Sequence, residues 1–235
     1  MRKVLTLVIL LCTLALFAFA QGDHEYAPIK EQKIDYKDWT YKQTTEGAPV
    51  NLRQWAQGNK LALVVYFAPW CHNWKNEAPV VARLYEKYHP YGLDVIAVSE
   101  YGTPSDRTMF FHDNPVSYTV VVESETREER DKTPHYGYRQ LTGDTRKWGS
   151  PYNIFLEPAK LNKTGDVLTE KAWIVNGELI EADVEKFIRE RLGLDKPGAN
   201  KTTSDFKLQT DKDKLLHATN SSTTTQCSPA SSKKQ

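Results

Sequence analysis

Cys71 is the residue of this chain whose type and setting most directly suggest chemistry. It follows a run of apolar, largely β-branched residues, Leu61 to Phe67, and a tight Ala68-Pro69-Trp70 corner. A helical pattern begins at once: Ala78, Val81, Leu84, Tyr85 and Tyr88 recur at three- and four-residue spacings, so one helix face is apolar. A thiol at that junction meets unpaired backbone N–H groups and the positive end of a helix, and both favour an anion. The thiolate is the nucleophile, able to attack a disulfide or to be oxidised to a sulfenic acid. His72, if protonated, would favour the thiolate, and the position equally suits a solvent-facing polar side chain. Trp74, bulky and apolar, either shields Cys71 or offers a stacking surface beside Trp70.

The strand, the Trp70-Cys71 pair, the helix and Pro79 eight residues past Cys71 resemble the active-site region of the thioredoxin superfamily. The resemblance is to its secreted TlpA-like branch, related to alkyl hydroperoxide reductase (AhpC/TSA) domains. It implies an α/β, thioredoxin-like fold with a central mixed β-sheet flanked by helices on both faces. It also implies thiol–disulfide chemistry and a cis-proline facing the catalytic cysteine, for which Pro151 in Gly149-Ser150-Pro151-Tyr152 has the matching setting. A cis bond there would turn the chain sharply and leave the Ser150 N–H and C=O to pair with an extended substrate. The other reading of Pro151 is an ordinary strand-entry proline. Glu77 matches an acidic residue that relays protons in many relatives, and by its residue type alone it also suits a helix surface. One position departs: the family's W-C-x-x-C has Trp74 as its last residue here, giving C-H-N-W.

The elements that must position this site read in order along the chain. Gln21 to Gln43 is polar with scattered aromatics and reads as an extended arm, with the folded domain starting near Asp38. Gly47 turns into a strand-like Pro49-Val50-Asn51-Leu52 piece, and Gly58-Asn59 leads into the central strand. The first helix ends at His89-Pro90-Tyr91-Gly92, and Leu93 to Ser99 reads as a buried parallel strand. Tyr101 to Asp106 opens a second helix running to about His112, and Tyr118 to Glu123 forms a further strand. The Thr126 to Lys132 charge run reads as a solvated face. Ala172 to Val175, closed by Asn176-Gly177, predicts a type I′ hairpin continuing through Glu178 to Glu181. A helix over Ala182 to Leu192 follows.

Domain organisation follows from the composition. Arg2-Lys3, the apolar run Val4 to Phe19 and Ala18-Phe19-Ala20 read as a signal peptide, 1–20, with Gln21 the mature N-terminus. An uncleaved membrane anchor is the alternative, though the run is shorter than the ~20 residues a spanning helix needs. The arm is 21–37, the thioredoxin-like domain 38–195, and 196–235 a disordered Ser/Thr/Lys-rich tail. Net charge is +1 overall, and removing the leader leaves 29 basic against 30 acidic residues. That balance gives no basis for nucleic-acid partners or anionic lipid, and no stable membrane insertion is expected after cleavage.

Of three cysteines, Cys12 lies in the leader, so the mature chain keeps Cys71 and Cys227. Two cysteines in a domain this size do not make a disulfide framework, so Cys71 reads as chemical rather than architectural. A dithiol enzyme resolves its mixed disulfide with a second thiol. Trp74 cannot do this, and Cys227, on a tail without a supporting motif, is a remote alternative. Three functions are therefore compared. The first is a monothiol oxidoreductase, with Cys71, His72 and Glu77 as catalytic residues and Trp70, Trp74, Ser150 and Pro151 binding substrate. Its partners would be protein or small-molecule thiols and disulfides with an external reductant, and it would need no metal or other cofactor. The second is a binding module for extended peptides that has lost the redox cycle. The third is a thiol peroxidase, weakened because Ala68 and Val64 stand where the peroxiredoxin motif wants threonine and proline.

Overall fold

The central strand, Leu61–Phe67, is buried at every residue, as expected of an unbroken apolar run enclosed on both faces. In the computed structural model, which describes residues 24–44 and 47–195, the elements around it are β1 (Tyr26–Ala27), β2 (Lys30–Lys37), β3 (Thr40–Gln43), β4 (Pro49–Asn51), α1 (Leu52–Ala56) and β5 (Leu61–Phe67). Then come α2 (His72–Tyr88), β6 (Leu93–Ser99), α3 (Pro104–Asp113), β7 (Thr119–Val122) and α4 (Pro134–Leu141). The last are β8 (Tyr152–Leu156), β9 (Val167–Val175), β10 (Glu178–Leu179) and α5 (Glu181–Leu192). The signal segment, the tail, Cys12 and Cys227 lie outside the described residues.

Eight strands form one mixed sheet in the order β2-β9-β8-β5-β6-β7-β3-β4. β5 pairs parallel with β6 from Leu61↔Leu93 to Phe67↔Ser99, and antiparallel with β8 from Ala62↔Leu156 to Tyr66↔Tyr152. Because side chains alternate across a strand, β5 serves both layers. Ala62, Val64 and Tyr66 join a core with Leu52 of α1 and Tyr138 of α4. On the other face Phe67 packs against Trp74 of α2 and Phe110 of α3, and Phe155 against Phe187 of α5. Helices therefore cover both faces of a mixed sheet, as the sequence implies.

Three segments differ from the sequence expectation. Lys30–Lys37, placed in the extended arm, is the edge strand β2, paired antiparallel with β9. Only Ile34 and Tyr36 mark its buried face, too short an alternation to stand out, and a register shift between Lys33 and Tyr36 interrupts it, with Asp35 at φ +49°. Leu52 leaves the strand because the Asn51 side chain accepts a hydrogen bond from the Gln54 N–H and starts α1.

Asn176-Gly177 is the third. Gly177 does not take the left-handed φ that a type I′ turn needs, and β10 pairs parallel with β1, not back onto β9. The N-terminal segment has taken that edge: the Glu178 N–H donates to the Glu25 carbonyl at 2.8 Å. A Cβ on Gly177 would stand 2.2 Å from the Glu25 oxygen, so glycine is required here by close approach. Gly177→Ala is therefore expected to displace residues 24–27 while leaving the eight-stranded sheet intact. Faster deuterium uptake in a peptide spanning those residues, with unchanged uptake in β5 and β6, is the measurement that checks it.

Candidate active site at Cys71

The corner at the end of β5 is tied together by backbone and side-chain bonds. The Cys71 N–H donates to the Ala68 carbonyl at 2.9 Å, and Cys71 caps α2 in an extended conformation (φ −74°, ψ 131°). Its side chain is half-buried. The thiol donates to the Ser150 carbonyl at 3.3 Å, while the Ser150 hydroxyl accepts the Ala68 N–H at 2.9 Å. The Ser150–Pro151 bond is cis. The structure thus brings Cys71, Ser150 and Pro151 together across a sequence gap of almost eighty residues, with the Ser150 carbonyl engaged by the thiol.

The two tryptophans differ. Trp70 is half-exposed, donates its indole N–H to the Tyr101 carbonyl at 2.9 Å and meets Trp148 edge-to-face. The Arg127 guanidinium lies 4.2 Å over the Trp70 ring, and Arg130 and Lys147 lie near Trp148. The charge run expected to be only a solvated face therefore helps to build the rim of the site. A groove lined by Pro69, Trp70, Lys75, Met109 and Phe110 runs along its other side.

Trp74, by contrast, is wholly buried, with ring centroids 4.6 Å from Phe67 and 5.8 Å from Phe110. It offers no surface to a substrate, and its expected binding role is withdrawn: it is core packing. The reason is helix phase, since Trp74, Ala78 and Val81 share the buried face. His72 points to the other side and is exposed.

Glu77 is on the buried face too, only 2% exposed, so the helix-surface reading is corrected. Its spacing of three from Trp74 and four to Val81 was the available signal. One oxygen accepts from the Leu179 N–H at 2.6 Å and from the Asn153 amide at 3.3 Å, and the other has no hydrogen-bond partner among the described residues. Burial pushes its carboxyl from the usual 4.5 up to about 8, against the pull of those two donors, and the nearby Glu178 charge adds to the rise. At neutral pH Glu77 is therefore mostly a protonated acid.

Several supporting residues carried no signal in a single sequence. The turn before Pro151 is braced by Arg139 and Arg146, both bonded to Asp144, which is almost fully buried. Gly149, at φ +57°, lies so close to Arg139 that a Cβ would overlap the guanidinium. His135 is fully buried and stacked parallel on Tyr66 at 4.8 Å, with Nδ1 3.2 Å from the Tyr101 hydroxyl. Burial first, and the Arg139 and Arg146 charges next, hold it neutral. Among the described residues no group of His, Cys, Asp or Glu could hold a metal ion, and no helix is long and apolar enough to cross a membrane.

A mixed sheet carrying a cysteine-capped helix after its central strand, with a cis X-Pro turn against that cysteine, is a thioredoxin-like fold. The model of the AhpC/TSA family matches residues 34–141. Similar solved structures include a thiol:disulfide interchange protein from Bacteroides sp., at 16% identity over 73% of this chain and 96% of that one, with a TM-score of 0.49. Another is a thioredoxin-related protein from Neisseria meningitidis serogroup B, at 16% identity over 64% and 96%, TM-score 0.47. A third is a thioredoxin family thiol:disulfide interchange protein from Chlorobium tepidum TLS, at 15% identity over 71% and 99%, TM-score 0.44. A search among curated proteins finds no match.

The raised Glu77 carboxyl has a defined effect on stability. The folded state holds this proton more tightly than the unfolded chain, so its contribution opposes folding increasingly as pH rises from about 4.5 to about 8, then levels. Glu77→Gln removes that slope. Its melting temperature relative to wild type should rise steadily across the same pH window in calorimetry; a constant offset would mean that Glu77 is ionised throughout.

Proposed function

We propose that this is an exported thiol–disulfide exchange protein that works through the single thiol of Cys71. The observation that supports it most is the contact of that half-buried thiol, at the N-terminus of α2, with the carbonyl of Ser150 beside the cis bond. Cys71 as thiolate attacks one sulfur of a partner disulfide. The old S–S bond breaks, a Cys71–sulfur bond forms, and the displaced sulfur leaves as a thiolate that takes up a proton. An external thiolate then attacks the mixed disulfide and releases Cys71. Among the described residues Cys71 is the only cysteine, so release by a neighbouring thiol has no candidate there. Trp70 and the Ser150–Pro151 turn border the thiol and form the docking edge, and Glu77 is the proton reservoir behind it. Export is read from the leader-like start of the sequence.

The second reading, a binding module for extended peptide, draws on Trp74: the position where relatives carry the resolving thiol is filled by core packing. One pair of proteins separates the two readings. Wild type is expected to form a mixed disulfide with a disulfide-containing model peptide, seen by mass, and to be released by added glutathione. Cys71→Ser should lose this entirely, at least a hundredfold in exchange rate, while retaining its melting temperature. Slow alkylation of the wild-type thiol, with peptide binding equal in the two proteins, would select the binding module. Peroxide consumption no faster in wild type than in Cys71→Ser is expected, and a Cys71-dependent rate would select the peroxidase.

A further inference from the structure

The turn that faces Cys71 is held from below by a charge cluster with more donors than its own ion pairs use. Asp144 receives the Arg139 Nε at 3.2 Å and a side-on pair from Arg146, Nε at 3.0 Å and Nη2 at 2.7 Å. Two guanidinium groups share one carboxylate. Burial alone would raise the Asp144 carboxyl, but the Arg146 hydrogen bonds and charge hold it below the usual range. Arg139 then donates to the Arg146 carbonyl and fills the space beside Gly149. Arg146 goes further: its Nη2 also donates to the Pro151 carbonyl at 2.8 Å, and its Nη1 reaches Glu25 of the N-terminal segment at 3.4 Å.

The bond to Pro151 is the informative one. A guanidinium pairing only with Asp144 would stabilise the cluster and leave the turn free. The planar fork of Arg146 instead spends one edge on the carboxylate and one donor on the backbone next to Ser150, the residue whose carbonyl takes the Cys71 thiol. Exchange needs the attacking sulfur and the docked disulfide aligned within a few tenths of an ångström, and such alignment depends on the groups that fix the docking edge.

We propose that Arg146 is the positioning residue of the exchange site, fixing the Ser150–Pro151 turn against Cys71 through its joint grip on Asp144 and the Pro151 carbonyl. This rests on the exchange reading above. It makes Arg146 a geometric device: its charge alone does not perform the role. A lysine there keeps the charge but cannot give the side-on pair and the carbonyl bond together.

The test compares wild type, Arg146→Met, Arg146→Lys and Glu25→Gln in two assays, with melting temperatures recorded for each. In exchange with a disulfide-containing peptide, Arg146→Met should lose roughly tenfold or more in kcat/KM, chiefly through KM, because the docking edge is displaced. In alkylation by iodoacetamide at fixed pH, its rate at Cys71 should rise about twofold or more, since the Ser150 carbonyl no longer holds the thiol. Arg146→Lys should follow Arg146→Met in both assays, and Glu25→Gln should match wild type. Full rescue by lysine would overturn the geometric role, as would wild-type exchange and alkylation rates in Arg146→Met. If Arg146→Met does not fold, Arg146→Lys carries the test. If wild type shows no exchange at all, the functional reading fails, and the alkylation rates still decide whether Arg146 sets the turn.

Discussion

Ser150 holds two parts of the molecule that are far apart in sequence. Its hydroxyl accepts the N–H of Ala68 and its carbonyl accepts the thiol of Cys71. Where β5 ends, the chain leaves the sheet and the Ala68 N–H loses its ladder partner. A buried donor left without one costs about 1–3 kcal/mol, so a hydroxyl at this point fixes the exit path. The same residue then presents its carbonyl to the sulfur that the exit path delivers. The corner, the cis turn and the thiol are consequently joined through this one residue. Gly149 and Pro151 on either side serve that arrangement, one by yielding space to Arg139 and the other by its backbone geometry.

Beneath this contact the protein is unusually polar for an interior. Tyr36, Tyr66 and Trp39 are joined by their hydroxyl and indole groups, at 2.8 and 3.0 Å. Tyr101 bridges Thr133 and His135, and the Ser124 hydroxyl meets the buried Glu100 carboxyl at 2.6 Å. Burial, followed by the Glu123 charge, pushes Glu100 well above the usual carboxylate range, so it stays protonated. Such a layer costs desolvation that an apolar core avoids, and in return its bonds are directional and admit one arrangement. Its outer end is the Tyr101 carbonyl that takes the Trp70 indole N–H. The polar layer thereby fixes the one tryptophan of the C-H-N-W segment's flank that remains at the surface.

What a single sequence reveals about this architecture depends on period and length. β5, β6, α2 and α5 are long or strongly patterned, and their apolar spacing is legible directly, whereas α3 is announced by its start residues, Thr103 and Asp106. β2 is not, because two buried side chains interrupted by an irregular register look like any polar stretch. α4 is hidden for a different reason: its buried residues are His135, Tyr138 and Arg139, which read as surface until their partners are known. At the site, Cys71 is visible as a local signal and Ser150 and Pro151 through the family resemblance, whereas the charge cluster around Asp144 exists only in three dimensions. The Asn176-Gly177 signal was genuine local chemistry, displaced by a competitor from the other end of the chain, Glu25 and its neighbours.

Trp74 belongs to the core and not to the surface of the site. In the C-H-N-W segment the fourth position follows Cys71 by three residues, close to one helical turn. Here that side chain is turned inward, stacked with Phe67 and Phe110, and its indole N–H has no hydrogen-bond partner among the described residues. An unpaired donor of this kind is tolerated only where the surrounding apolar contact outweighs it. The Trp74 side chain is therefore tied into the packing between α2, α3 and the sheet. Truncating it to cysteine would open a void of several carbon atoms in that layer, a change of the kind that costs about 3–5 kcal/mol in other cores. The packing around Trp74 thereby joins α2 to α3 and to the sheet beside the segment that carries Cys71.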